Sequence, residues 1–465
     1  MRRTKLVATL GPATDVPGVL DALVAAGLDV ARLNTSHSSE ADLERRLVEV
    51  RAAARRAGRH IAVMLDLAGA KLRLGEVAPG TVLEAGAPFN LRTVPGPGDA
   101  RGASVGHAGF ADDVSPGDRL LIDDGAIELR VTAVDPGVVR TIVEAGGPLS
   151  SRKGVNAPGV RLSVAGITEH DRSMLAWASD AGIDLVAQSF VRSAADVHEL
   201  RATMGTTVLP IVAKIEKHEA VAELEAIVEA ADAVMVARGD LGVETSPEAV
   251  PVIQRRIVAA CRSAGRPVIV ATQMLESMTE SRRPTRAEAS DVANAIFDAV
   301  DGVMLSGETA VGRHPAYVLA TMARIVETAE GAAVEHPWSP LPAQADDVAA
   351  AVSGAACDLA RTLDLAAIVT ATQSGATARA VAAHRPDVPI VAATPDDIVA
   401  RRLALVWGVV PVVVAAYDTI DEMIVAAADA VVAAGLATPG ELIAVTGGVA
   451  VHTPGSTNLV QVHRV

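Results

Sequence analysis

Cysteine is nearly absent. The 465 residues include only Cys261 and Cys357, which excludes a disulfide framework and leads us to expect a reducing, cytoplasmic setting. Both sit in alanine-rich, helix-forming stretches, where a thiol serves as a small buried hydrophobe. Aromatic residues make up 2%, so Ala, Val, Leu and Ile must fill the core. No apolar run reaches about 18 residues, so no transmembrane helix is expected. Met1 to Leu10 carries charges and no apolar run of signal-peptide length. Positive charge is in deficit: 41 basic against 56 acidic residues give −15. Nucleic-acid and membrane-surface proteins usually carry a basic footprint, so neither partner is expected. A Walker A run and a protein-kinase glycine loop are also missing, which excludes those kinases if ADP or ATP is a substrate. The rest is 50% hydrophobic and 21% charged, a composition that folds rather than staying disordered. The length suggests roughly three domains.

Short apolar runs alternate with amphipathic helices at the start of the chain. Lys5–Thr9, Val30–Leu33 and Ile61–Leu65 read as strands, with helices over 16–26 and 39–57 between them. The pattern breaks from about Ala70 to Ser163, where turn signals such as Pro95-Gly96-Pro97-Gly98 and Asp135-Pro136-Gly137 separate short strands like Arg119–Ile122 and Ile127–Val134. This stretch reads as a small all-β insertion. Alternation then resumes with strands at Leu185–Ala187, Leu209–Ala213, Ala233–Val236, Val268–Ala271 and Gly302–Leu305. Helices are expected at 169–181, 194–204, 218–230, 247–264, 286–299 and 315–329. Three strands before the insertion and five after it make eight, which predicts a (β/α)8 TIM barrel. An open doubly wound sheet is the weaker alternative, because no single switch point stands out. A proline-rich run, His336 to Pro342, leads into a further helix–strand alternation. The expected division is barrel 1–69 and 164–335, inserted β-barrel 70–163, and a doubly wound α/β unit over 345–465.

Active sites of such barrels sit at the C-terminal ends of the strands. Here strand two runs into Arg32, Asn34, Ser36 and His37, strand three into Asp66, and strand four into Gln188-Ser189-Phe190-Val191-Arg192. The next four end in Lys214-Ile215-Glu216, Arg238-Gly239-Asp240, Thr272-Gln273 and Ser306-Gly307-Glu308. One such ending is a helix cap; seven on one face call for chemistry. Glu216 and Asp240 are oxygen ligands of the kind that suit Mg²⁺ or Mn²⁺. Lys214, two residues from Glu216, points the same way along its strand and suits an enolate or phosphoryl anion. Alone, that pair reads equally well as a surface salt bridge. Gly239-Asp240-Leu241-Gly242 leads to a helix whose backbone N–H groups suit a substrate carboxylate. Arg32, Arg73, Lys153, Lys214 and Arg238 make a positive pocket in a negative protein, fit for small polyanions.

These strings resemble the pyruvate kinase family over essentially the whole chain. They are Arg32-Leu33-Asn34-x-Ser36-His37, Lys153-Gly154-Val155-Asn156, Lys214-Ile215-Glu216, Val236 through Glu244, Ala271-Thr272-Gln273-Met274-Leu275, Arg283 through Glu288, and Met304 through Ala310. The resemblance implies a barrel, an inserted β-barrel lid and a C-terminal regulatory domain, assembled as a homotetramer. It implies phosphoryl transfer from phosphoenolpyruvate to Mg-ADP, giving pyruvate and ATP. On that mapping Glu216 and Asp240 hold the divalent metal. Lys214 stabilises charge on the phosphoryl group and enolate, Arg32 contacts phosphate, and Gly239, Asp240 and Thr272 receive the substrate carboxylate. Thr272, Ser306 and Glu308 belong to the proton path, and Asn34, His37, Arg73 and Lys153 to the nucleotide side.

One string departs from the family. Where it commonly reads Asp-Thr-Lys-Gly-Pro-Glu-Ile-Arg, this chain reads Asp66-Leu67-Ala68-Gly69-Ala70-Lys71-Leu72-Arg73. Members with the acidic residue resemble one another in needing K⁺, and those with lysine tend not to. Lys71 is therefore expected to make the enzyme K⁺-independent, its ammonium supplying the charge. Asn34, Ser36, Asp66 and Leu67 remain as a K⁺ ligand set. Thr372-Gln373-Ser374-Gly375-Ala376-Thr377 stands between a strand and a helix. It reads either as an ordinary cap or, as in the family, as a site for the phosphate of a sugar-phosphate or AMP effector, with Thr372, Ser374, Gly375 and Thr377 as ligands. Two other readings share parts of this pattern. A metal-dependent pyruvate-enolate lyase or aldolase has no use for the inserted lid or the ADP-side arginines. A non-catalytic paralogue that senses sugar phosphates has no need of intact Lys214, Glu216, Asp240 and Thr272.

Overall fold

Eight parallel strands close on themselves into a barrel. They are β1 Lys5–Thr9, β2 Val30–Asn34, β3 Ala62–Asp66, β4 Leu185–Gln188, β5 Ile211–Ile215, β6 Ala233–Ala237, β7 Val268–Ala271 and β8 Gly302–Leu305. The structure, a computed structural model, describes residues 2–333, 341, 347–449 and 457–465. The proline-rich run His336–Pro342 lies outside the described residues except for Leu341.

The eight expected strands are all present, three with the predicted bounds; β5 starts two residues later than the apolar run, because Leu209-Pro210 precedes the ladder. The helix expected over 218–230 is two, His218–Ala222 and Leu224–Ala230, broken at Glu223, whose φ of −99° and ψ of 19° leave the helical well. Period-2 alternation sorts the strand residues. Val7, Val30, Ala62, Met64, Val212, Ala233, Met235, Ile269 and Met304 fill the barrel interior, while Leu6, Ala31, Val63, Ala213 and Val234 pack outward against the helices. With so few aromatics, the interior is built of aliphatic side chains and methionine.

Between β3 and β4 the chain forms a six-stranded sheet with its own core around Phe89 and Phe110. Its strand order is 155–156, 119–122, 127–135, 138–145, 88–92, 102–104. The insertion is not purely β, since Phe110–Asp113 is a single helical turn. Residues 73 and 74 bridge both edges of the sheet, Arg73 to Gly154 and Leu74 to Val105, and so draw it round into a barrel.

The C-terminal unit is a five-stranded sheet: β9 Ala367–Ala371, β10 Ile390–Thr394, β11 Val409–Val413, β12 Leu442–Gly448 and β13 Thr457–Arg464. The order is β11-β10-β9-β12-β13, all parallel except β13. Separate apolar clusters on its two faces match a doubly wound sheet. It packs on the floor of the TIM barrel, where Ala404 and Leu405 join the interior cluster. Cys261 and Cys357 are free and lie in the helices Val250–Ser263 and Val348–Leu363. Burial pushes the Cys357 thiol up to about 12, so it stays protonated and inert.

Lys5 joins floor and C-terminal unit: its Nζ donates to the Val409 carbonyl at 2.7 Å. Burial lowers this lysine from 10.5 to about 8, against the pull of Asp29. Below pH 8 folded and unfolded chains are both protonated, and the folded one carries the full penalty, on the order of 3 kcal/mol. From pH 8 to 10.5 the folded chain gives up its proton first, so this penalty is relieved. The stability of the wild type relative to Lys5→Met should therefore rise as pH increases from 8, read by urea denaturation at several pH values; a flat difference would contradict the assignment.

Candidate active site

Alternation that puts Val212 inside the barrel also puts Lys214 and Glu216 at its upper rim, and likewise Arg32 above Val30 and Asp66 above Met64. Lys214 Nζ lies 2.7 Å from Ser189 Oγ, 3.0 Å from Glu216 Oε1 and 3.3 Å from Asp66 Oδ1. Asp66 Oδ2 accepts from Arg32 Nε at 2.6 Å, and Arg32 Nη1 donates to Thr9 Oγ1 at 2.9 Å. Asp66 and Glu216 are each 1% exposed and Lys214 8%, so this is no surface salt bridge. Burial would lower the lysine, but Asp66 and Glu216 outweigh it and hold it above its ordinary value. Burial would raise Asp66, but Lys214 and Arg32 keep its carboxyl low. Glu216 goes the other way: burial raises it, Lys214 opposes and the charge of Asp240 reinforces. The result is a lysine that stays charged between two carboxylates of different character.

Strands four and seven run into strained backbone. Thr272 and Gln273 have φ of 67° and 53°, and Phe190 has 57°, a region costly for such residues and typical of functional sites. At this turn Thr272 Oγ1 accepts from Gly239 N at 2.8 Å and donates to the Ala271 carbonyl at 2.6 Å. Arg238 holds the turn. Its guanidinium donates to the Thr272 carbonyl at 2.8 Å and lies 2.7 Å from Asp291 Oδ2. It is thus a strut of the strand-seven turn rather than a member of the positive pocket. The helix expected over 247–264 is present as Val250–Ser263, and a separate short helix, Arg238–Glu244, precedes it, so Gly239 and Asp240 lie in the first turn of the short one. Glu308, 2% exposed, accepts from Leu275 N at 3.1 Å and Ser306 N at 2.7 Å, and the Ser306 hydroxyl is buried without a hydrogen-bond partner.

The remaining cations gather on the side of the inserted β unit. Partial burial, then Arg73, Arg32 and Lys71, lower the His37 imidazole, so these groups share one positive region. Lys153 Nζ pairs with Asp123 at 2.8 Å within the inserted unit. Lys71 reaches across to the barrel, 2.9 Å from Asp240 Oδ1 and 3.9 Å from Asp124 Oδ1. The residues expected as a K⁺ ligand set are internally bonded: Asn34 Oδ1 accepts from Ser36 N at 3.0 Å, and the Leu67 carbonyl from Ser189 Oγ at 2.8 Å. Among the described residues no three or more Asp, Glu, His or Cys side chains converge as a metal site. Two carboxylates near enough for the charge of Asp240 to act on Glu216, each paired with a lysine, nonetheless fit Mg²⁺, which keeps several waters and takes substrate oxygens as further ligands.

The family model for the pyruvate kinase barrel domain matches residues 1–319, and that for the pyruvate kinase alpha/beta domain matches residues 350–463. The chain belongs to the pyruvate kinase family. It is 45% identical to the pyruvate kinase of Geobacillus stearothermophilus, over 99% of this chain and 80% of that one. It is 44% identical to that of Mycobacterium intracellulare, over 100% and 98%, and 43% identical to that of Corynebacterium glutamicum, over 99% and 97%. The activity of a pyruvate kinase, phosphoryl transfer between phosphoenolpyruvate and ADP in a family that uses Mg²⁺, follows for this chain.

Sequence reasoning missed several residues around this pyruvate kinase site. Ser189 and the Phe190 N–H, which donates to Glu216 Oε2 at 2.7 Å, were visible as a polar strand ending but had no assigned partner. Asp291 lies on a distant helix, and nothing in its sequence context marks it. In the C-terminal unit, the Thr372–Gly375 turn follows the central strand β9 at the point where strand order reverses, the usual ligand position of a doubly wound sheet. Gly375 is left-handed at φ 80°, and an added Cβ would come within 2.9 Å of Leu403. Thr372 Oγ1 accepts from Gly375 N at 2.9 Å, and the hydroxyls of Thr377 and Thr457 lie 2.7 Å apart. Among the described residues no helix is long and apolar enough to cross a membrane.

Proposed function

We propose that this chain transfers the phosphoryl group of phosphoenolpyruvate to ADP with Lys214 as the central cation, and that it does so without K⁺. The observation that carries the reading is the buried Lys214 ammonium between Asp66 and Glu216. Glu216 and Asp240 would hold Mg²⁺ or Mn²⁺, which supplies charge neutralisation on the phosphoryl oxygens. Lys214 and Arg32, both held in place by Asp66, meet the negative charge that spreads over the phosphoryl group and the enolate oxygen. Gly239, Asp240 and Thr272 orient the substrate carboxylate. The enolate left by transfer takes a proton at its terminal carbon from the Thr272 side, with Ser306 and Glu308 completing the path. The unpartnered Ser306 hydroxyl supports such a role, since a buried hydroxyl with no bond is costly unless a substrate or water uses it. Asn34, His37, Arg73 and Lys153 receive the nucleotide phosphates as the lid, residues 70–163, closes on the barrel of 1–69 and 164–335.

K⁺ independence rests on Lys71. Burial works against its charge, but Asp240 outweighs it and keeps the amine protonated, so a fixed ammonium stands beside the candidate metal site. In K⁺- and Na⁺-free buffer the enzyme is expected to reach full activity, with no gain from KCl. Lys71→Glu is expected to lose about tenfold or more, through like charge beside Asp240, and to regain part of it with KCl. Near-zero wild-type activity restored by KCl would sink the proposal.

The unit of residues 345–465 is proposed to bind a phosphorylated effector at Thr372, Ser374, Gly375 and Thr377, in a cytoplasmic homotetramer. AMP, glucose 6-phosphate, ribose 5-phosphate and fructose 1,6-bisphosphate, titrated at low phosphoenolpyruvate, should include at least one activator whose effect is lost in Thr377→Val. No response to any would leave the loop a helix cap.

A further inference from the structure

Ala70–Leu72, where the chain enters the lid, and Val155–Asn156, the edge strand of the lid sheet, are both tied to one helix, Arg238–Glu244. Lys71 Nζ meets Asp240 in its first turn at 2.9 Å. Asn156 Nδ2 donates to Oε1 of Glu244, its last residue, at 2.7 Å. A third tie comes from the barrel: Lys217 Nζ, one residue beyond Glu216, lies 2.6 Å from the same Glu244 oxygen. His218 Nδ1 is 3.8 Å from the other oxygen.

Glu244 is an odd place for a carboxylate. It is 3% exposed and sits at a helix C-terminus, where the helix dipole disfavours negative charge. A buried charge is tolerated only with firm partners, and here these are one lid residue and one residue of the strand-five loop. The network is also incomplete. Glu244 Oε2 and Asn156 Oδ1 are both buried without a hydrogen-bond partner. Polar atoms left over beside short bonds mark a contact that a small shift of the edge strand can rearrange.

We infer that Glu244 is a positioning residue that couples the lid to the substrate end of the helix. The helix has seven residues, about 10 Å of stiff rod. A displacement of Asn156 at one end is therefore passed to Gly239 and Asp240 at the other. Closing the lid and setting the Asp240 carboxylate are one movement, with Lys217 keeping the pivot registered to Glu216. This rests on the reading that Asp240 holds the divalent ion.

The test exchanges donor and acceptor. Asn156→Asp sets a carboxylate against Glu244 and breaks the tie. It is expected to weaken binding of Mn²⁺, titrated alone by calorimetry, by about tenfold, the order of one buried hydrogen bond. It should also raise KM for ADP by a similar factor, with a smaller change in kcat. The double variant Asn156→Asp/Glu244→Gln, in which the amide and the carboxylate trade sides, is expected to recover most of both losses. Asn156→Ala, which removes the bond without adding charge, should move the same quantities in the same direction by less, and serves if Asn156→Asp does not fold. Unchanged Mn²⁺ affinity and KM in the single variants would overturn the inference. So would a double variant no better than Asn156→Asp. A wild type that does not turn over phosphoenolpyruvate and ADP would instead refute the functional reading, while the Mn²⁺ titrations would still report on the tie.

Discussion

Lys214→Met is expected to lower kcat by about 10³-fold with a much smaller change in KM for phosphoenolpyruvate, because the ammonium acts on charge that develops only during transfer. Methionine preserves the length and apolar stem of lysine, so the change removes the charge and little else. It leaves Glu216 without its closest cation, while Asp66 keeps Arg32. Breaking a buried pair costs stability of about 3 kcal/mol or more, so a lower thermal midpoint is expected as well. The two effects separate by assay well below that midpoint, where a folded Lys214→Met enzyme should still be slow. Lys214→Arg should not rescue it, since a planar fork cannot replace a point charge 2.7 Å from Ser189 Oγ. Near-normal kcat in either variant would remove Lys214 from the mechanism.

Glu216→Gln is expected to weaken Mn²⁺ binding by about 10²-fold, at least what loss of a supporting residue costs at a metal site. Calorimetric titration without substrate reads this directly, and excess Mn²⁺ should restore part of kcat. Stability should fall less than in Lys214→Met. Glutamine still accepts from the Phe190 N–H, and the repulsion between Glu216 and Asp240 that raises the Glu216 carboxyl is gone. Unchanged Mn²⁺ affinity would place the metal elsewhere.

The rim of the barrel was legible because alternation along a strand is a one-dimensional rule. If Val212 faces inward, so do Lys214 and Glu216, and the sequence contains all that is needed to see it. The eight strands were legible for the same reason, apart from shifts of a residue or two where Pro210 or a polar terminus delays or extends a ladder. The break at Glu223 was not, because the residues around it are good helix formers and only packing turns the chain there. Arg238 was misread as a substrate cation because its fate depends on Asp291, 53 positions away. Lys71 was marked as a departure, but its contact with Asp240 follows from how the lid folds back on the barrel. The Asn156–Glu244 tie was hidden likewise: both residues stand in strings that signal the family, and neither string reveals that they touch.

The most direct test of this account measures pyruvate formation from phosphoenolpyruvate and Mg-ADP, coupled to lactate dehydrogenase, in K⁺-free buffer for the wild type and Lys214→Met side by side. The account predicts full wild-type turnover that KCl does not increase, and a folded Lys214→Met enzyme slower by about 10³-fold. Wild-type turnover that appears only with KCl, or turnover that survives in Lys214→Met, would contradict it.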